Sequence, residues 1–536
     1  MGFLFAFASA LLAASLSSCT IYQLVPNRGS SSLEPITDDS EIEVEFEKDY
    51  VQDGVYQAPD FLKRSLREVS YRRGMDLPPS TGNVNVLVLP IQFSDYPFSA
   101  DVLSNVSNAL SGTDTGYWES LASFYEKSSY GKLHLSFHMA SVYQTGMTAT
   151  EGAKLNYSFS QNDQDSCDNA QYFINKAVEA YSDEDAPLTD FDQDDDGIID
   201  AIIAVYSCPD YSKHTYRFSY GKDSEKISDS SLYWAFTYWC SNSGDLSSPK
   251  ANTFVWLSYD FFSSQGNADP HTIIHEYGHA MGLDDYYTDQ SDFQPAGGID
   301  MMDLNIVDHD VYSKASLGWT SPYIVDGDDV TLTIRPSESS GDCVLIPTSS
   351  FNGTLWDEYI MLELYTPDGL NEFDTKNSYG GYPKGYSIPG IKIYHVDSRL
   401  VCCKYGGSQS RILSSPYVYD PNSIDPYASS CFYMVAATNC SKDFNSSQIL
   451  SSNRAYSSTY SLIHLIEKGG INTFAKGKTG TNGTLFTGGS SFSLDQYGNN
   501  FFPRRSAMNN GKSFPYLITV ESVSSQGATL HFEKRS

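Results

Sequence analysis

His271-Thr272-Ile273-Ile274-His275-Glu276-Tyr277-Gly278-His279-Ala280-Met281-Gly282-Leu283-Asp284-Asp285 is the stretch on which the reading of this chain turns. His275 and His279 are four residues apart, so on a helix their imidazoles share one face and can reach one metal ion. Glu276, beside the first histidine, is then placed to act as a general base on water. Asp269-Pro270 predicts where that helix starts, because aspartate is a good N-cap and proline is favoured at the first helical position. Gly282 is suited to ending it in a left-handed conformation. The helix is therefore expected from Pro270 to Met281, with Ile273, Tyr277 and Ala280 as a buried stripe. A catalytic zinc takes three protein ligands and keeps one position open. The turn after Gly282 can return Asp285 to the metal as the third ligand. Asp284 competes for that role, and Asp285 is preferred for its offset.

A second motif lies upstream in Asp192-Gln193-Asp194-Asp195-Asp196-Gly197-Ile198-Ile199-Asp200. Asp192, Asp194, Asp196 and Asp200 stand at positions 1, 3, 5 and 9 around a glycine at 6, the first part of a calcium loop. Ile203 occupies position 12, where a bidentate glutamate would complete a helix–loop–helix hand. The loop is expected instead to lead into a strand and to hold a structural Ca2+ outside the cell.

The chain as a whole sets the context. Its 536 residues exceed one ordinary domain. A net charge of −32 argues against a nucleic-acid partner, since phosphate binding needs a basic surface. Phe3 to Leu16 is apolar and runs into Leu16-Ser17-Ser18-Cys19. That pattern looks like a bacterial lipoprotein signal ending at a lipidated Cys19, although no Lys or Arg precedes Arg28. Eight further cysteines (167, 208, 240, 343, 402, 403, 431 and 440) permit disulfides, and the absence of a C-x-x-C pair argues against a thiolate zinc site.

Texture divides the chain. Residues 1–19 read as the signal, and 20–82 as a polar, acidic stalk and N-terminal segment with a helix-like piece at Phe61 to Arg73. In residues 83–320, the runs Asn85 to Phe93, Leu133 to Phe137 and Ile198 to Tyr206 read as strands. Trp118 to Lys127 and Ala170 to Tyr181 read as helices, and the alternation predicts an α/β domain. In residues 321–536, Val330 to Ile334, Tyr359 to Leu364, Ile391 to Val396, Tyr516 to Val523 and Ala528 to Phe532 predict a mostly-β, sandwich-like C-terminal domain.

Gly297-Gly298-Ile299-Asp300-Met301-Met302-Asp303 looks like a Met-turn, an apolar floor beneath a metal; Met301 or Met302 fits, and Met302 is preferred. Taken together, these residues resemble the immune inhibitor A-like peptidases, a metzincin-related family of secreted bacterial zinc metallopeptidases. The resemblance runs from about Val84 to the C-terminus. It includes Gln92-Phe93-Ser94-Asp95, Ser129-Tyr130-Gly131-Lys132-Leu133, Leu317-Gly318-Trp319 and Leu485-Phe486-Thr487-Gly488-Gly489. Asp284 departs from the proline expected before the third ligand, and the Met-turn carries an extra methionine.

The resemblance implies a zincin-type α/β (α+β) peptidase domain backed by the β-rich domain. It implies catalytic Zn2+ at His275, His279 and Asp285, catalysis by Glu276, and structural Ca2+. The expected activity is hydrolysis of peptide bonds in proteins or peptides by a zinc-activated water. The expected location is the bacterial cell surface, anchored in the membrane through lipid on Cys19, or secreted. A different class is a surface adhesin or glycan-binding protein with a vestigial peptidase domain. Intact Glu276 counts against it, because a binding module has no use for a general base.

Overall fold

The computed structural model describes residues 48–57, 66–69, 75–113, 118–155, 164–219, 227–229, 232–264, 266–288, 293–349, 351–404, 410–412, 431–435, 437–439 and 461–535. Cys19, the signal, and most of the expected stalk and of the Phe61 to Arg73 helix lie outside them. The chain is a mixed α/β protein that divides into two compact units. One unit contains Tyr71–Asp285 and Leu304–His309; the other contains Tyr286–Asp303 and Asp310–Ser536, together with the N-terminal hairpin. The chain leaves the first unit after Asp285 and returns to it over Leu304–His309.

That hairpin, β1 (Asp49–Gln52) and β2 (Val55–Gln57), is part of the stretch expected to be stalk. It joins a sheet of the second unit, where β2 pairs with a strand at Tyr323–Val325. The four side chains of β1 are all exposed, so no buried pattern marks it in the sequence.

The first unit is built on one sheet. Five of its six strands are β3 (Gly82–Gln92), β4 (Leu133–Met139), β5 (Ile202–Tyr206), β6 (Phe236–Trp239) and β7 (Thr253–Ser258), in the order β4-β3-β5-β7-β6, and the short sixth, Tyr143–Gln144, pairs with β3 off that path. The first four in that order are parallel, and β6 runs antiparallel at the edge. Strand pleating sends alternate residues to opposite faces. Leu87, Leu89 and Ile91, Ile202 and Ala204, and Phe254 and Trp256 enter one core with Ala170, Phe173, Ile174 and Ala177 of the helix at Gln164–Glu179. Each such aliphatic side chain contributes about 1.5–3 kcal/mol when fully buried.

Four helices matter here: α1 (Ala100–Ser111), α2 (Leu121–Ser128), α3 (Gln164–Glu179) and α4 (His271–Ala280). Helix α2 starts later than Trp118 because Ser120 caps it, its hydroxyl accepting from the Ser123 amide while the Ser123 hydroxyl accepts from the Ser120 amide. Helix α4 packs against β7 and β6. Strand β5 begins at Ile202 rather than Ile198, since Ile198 makes only an isolated bridge to Lys250.

The second unit carries two larger sheets and several short helices. A seven-stranded mixed sheet runs β1-β2-β8-β10-β11-β12-β13, with β8 (Tyr323–Val325), β10 (Cys343–Pro347), β11 (Glu358–Tyr365), β12 (Gly390–Asp397) and β13 (Ile463–Leu465). A four-stranded antiparallel sheet runs β9-β16-β15-β14, from β9 (Asp329–Ile334), β14 (Ser491–Phe492), β15 (Tyr516–Ser524) and β16 (Gly527–Lys534). One hydrophobic cluster draws on both, with Ile360, Leu362 and Ile393 from the first and Leu332, Ile518 and Phe532 from the second. Short helix α6 (Val311–Ser316) also belongs to this unit, as do the first three residues of helix α5 (Met301–Leu304).

Cys167, Cys208, Cys240 and Cys343 are buried free thiols. The side chains of Cys402, Cys403 and Cys431, and all of Cys440, lie outside the described residues.

Candidate metal centre

The motif helix runs His271–Ala280, one residue inside the expected span at each end, with Pro270 at the cap position in place of the first helical one. The Asp269 carboxylate accepts the His271 amide at 3.0 Å and its ring Nδ1 at 2.7 Å, which satisfies an otherwise orphaned donor at the helix start. All ten residues of α4 are buried. Tyr125 of α2 donates to the Ile274 carbonyl at 2.6 Å, fixing the helix by its main chain. Gly282 then adopts a φ of 105°, a conformation open to glycine. Its amide donates to the His279 carbonyl and that of Leu283 to the Gly278 carbonyl, so the chain doubles back toward the histidines.

That turn brings Asp285 to the pair. His275 Nε2 and His279 Nε2 are 3.0 Å apart, and each lies 3.1 Å from Asp285 Oδ1. Ligands at about 2.0–2.1 Å from a tetrahedral ion stand about 3.3–3.4 Å apart. The trio is thus within about 0.4 Å of a zinc shell on every edge. Asp284 is not part of this group, so the geometry selects Asp285 of the two adjacent aspartates.

The tautomer of His279 follows from its second contact. Nδ1 lies 2.9 Å from the Leu283 carbonyl, which can only accept, so Nδ1 carries a proton and Nε2 is the nitrogen that faces His275 and Asp285. Burial pushes the His279 imidazole down, but the Asp285 carboxylate beside it more than compensates and lifts it to about 9. Burial likewise pushes Asp285 up, yet the two imidazoles hold its carboxyl far below the usual range. Two imidazole nitrogens and a carboxylate oxygen are a donor set that could hold a divalent metal ion.

Glu276 is 2% exposed, and burial raises its carboxyl above the ordinary value against the pull of His279 and His275. Thr237 of β6 reaches it. The Thr237 hydroxyl donates to the Glu276 carbonyl at 2.7 Å, and its Oγ1 lies 3.3 Å from Glu276 Oε2. Nothing in the sequence singles out Thr237, because a threonine in a strand is unremarkable and its contact depends on the sheet.

The aspartate loop is also assembled. Carboxylate oxygens of Asp192, Asp194 and Asp196 lie within 4.8 Å of one another. Asp192 accepts the amides of Asp196 and Gly197 at 3.0 and 2.9 Å. A side chain at Gly197 would meet the Asp245 amide at 2.3 Å, and its φ is 83°, so glycine is required there. Asp200 is buried and stands outside that group; its Oδ2 accepts the Gln193 amide at 2.7 Å and braces the loop from within.

Met301 and Met302 are both fully buried in α5 of the second unit. The Met302 amide donates to Asp300 Oδ1 at 2.8 Å, and its carbonyl accepts from the Tyr286 amide at 2.8 Å. No protein-family model matches this chain, and no curated protein matches it.

Proposed function

We propose that this chain is a zinc-dependent endopeptidase acting outside the cell, with a zincin-type peptidase domain and a sandwich-like β domain. The observation that carries the reading is the convergence of His275, His279 and Asp285 beside the buried carboxyl of Glu276. Zinc at these three residues would supply Lewis acidity toward a water and a peptide carbonyl.

The remaining chemistry belongs to the chain. Glu276, dry and raised in pKa, takes the proton from the attacking water at a carboxylate oxygen and returns it to the leaving amine. The Leu283 carbonyl and Asp269 hold the helix end and helix start that orient the imidazoles. Strand β6 ends the sheet beside α4, and its outer edge pairs with no other strand among the described residues. An extended peptide adding there by main-chain hydrogen bonds would lie along the strand that touches Glu276.

Asp192, Asp194 and Asp196 would hold a structural calcium ion that ties the loop before β5. The cell-surface location and lipid anchor remain part of the proposal through Cys19; no described helix is long and apolar enough to cross a membrane. The test is direct. Purified protein should cleave casein at neutral pH, and a zinc chelator should abolish cleavage until zinc is restored. Cleavage that persists in metal-free protein would refute the reading.

A further inference from the structure

We propose that Thr237 is a positioning residue for Glu276, which rests on the peptidase reading above. Pleating separates the side chains of β6. Phe236 and Tyr238 enter the core on the α3 face, and Thr237 lies on the opposite face with α4. From there its one hydroxyl proton can go to the Glu276 carbonyl at 2.7 Å or to the carboxylate Oε2 at 3.3 Å, so both parts of the same residue lie within its reach. Glutamate has three side-chain torsions, and a general base misplaced by about 1 Å costs on the order of 100-fold in rate. Thr237 restricts that freedom. It also ties the base to the edge strand itself, so a peptide lying along β6 is registered against the carboxylate that must reach its water. The shape of Thr237 is less important than its oxygen.

The experiment compares Thr237→Val, which keeps the shape and removes the hydroxyl, with Thr237→Ser, which keeps the hydroxyl. Zinc content, kcat and KM on a fluorogenic peptide, and crystal structures are obtained for each. Thr237→Val should hold one zinc per chain and keep KM within about twofold while kcat falls about tenfold or more. Its Glu276 carboxylate should leave the wild-type position or spread over several rotamers. Thr237→Ser should restore both the position and kcat to within about threefold. If Thr237→Val does not fold, Thr237→Ala supplies the same readouts. A Glu276 carboxylate unmoved in the hydroxyl-free variant, or a serine variant as impaired as valine, overturns the proposal. Zinc-loaded wild-type protein that cleaves no peptide would sink the peptidase reading alone, because the carboxylate positions would still decide the role of Thr237.

Discussion

Acid should unfold the second unit partly through one histidine. His464 lies on β13 between the rings of Phe293 and Phe501, 5.4 and 5.5 Å away, with Asn472 Nδ2 at 3.5 Å from Nε2. Burial, together with nearby His395, drives its pKa down to about 3. An exposed histidine titrates near about 6.5. Above that pH both folded and unfolded forms are neutral, and the imidazole costs nothing. Between about 6.5 and 3 the unfolded chain binds a proton that the folded chain refuses, so stability falls as pH falls. At about 1.36 kcal/mol for each pH unit, acidification from pH 6.5 to 4.5 removes about 2 kcal/mol through this residue. His464→Leu keeps a similar volume and removes the titration. The assay is urea unfolding at the two pH values, followed by labelling of the buried thiol of Cys343 with a disulfide reagent active in acid. The wild type should lose about 2 kcal/mol more than the variant on acidification. Equal losses would refute the reasoning.

Three further outcomes are expected. Calcium at about 100 times its dissociation constant should stabilise the first unit by about 2.7 kcal/mol, and Asp194→Asn should blunt the gain; an unchanged melting midpoint in the wild type would leave the loop a plain acidic turn. Lys392 is buried, 3.2 Å from Glu363 and over the rings of Tyr365, Tyr386 and Tyr394 at 5.1, 5.9 and 5.8 Å. Lys392→Met should cost about 3 kcal/mol in urea unfolding, because it strands Glu363 in the core, and adding Glu363→Leu should recover part of the loss. Ser120→Ala should destabilise by about 1 kcal/mol through the lost cap of α2, measured by the same urea midpoint.

What could be read from the sequence was local. The Asp269-Pro270 pair, the glycine at 282 and the four-residue histidine spacing are signals carried by neighbours in the chain, and α4 and its turn follow them to within a residue. The β-branched runs of β3, β11 and β12 announce themselves in the same way. Asp285 over Asp284 needed the turn geometry, which a spacing argument could only favour. The hairpin β1–β2 was hidden because its outer strand is short and wholly exposed, and its partner β8 lies far along the chain. Thr237 was hidden for a related reason: its role depends on β6 being the antiparallel edge beside α4. The polar network in which Glu358 accepts from His395 and from the Asn509 and Asn510 amides is likewise drawn from distant segments.

The most direct test of the zinc peptidase reading is Glu276→Gln, measured for metal and for activity on one preparation. The substitution keeps the shape and removes the proton acceptor. The account predicts one zinc per chain in both proteins and a loss of casein cleavage of about 100-fold or more in the variant. Cleavage at the wild-type rate, or wild-type protein that binds no zinc, would contradict it.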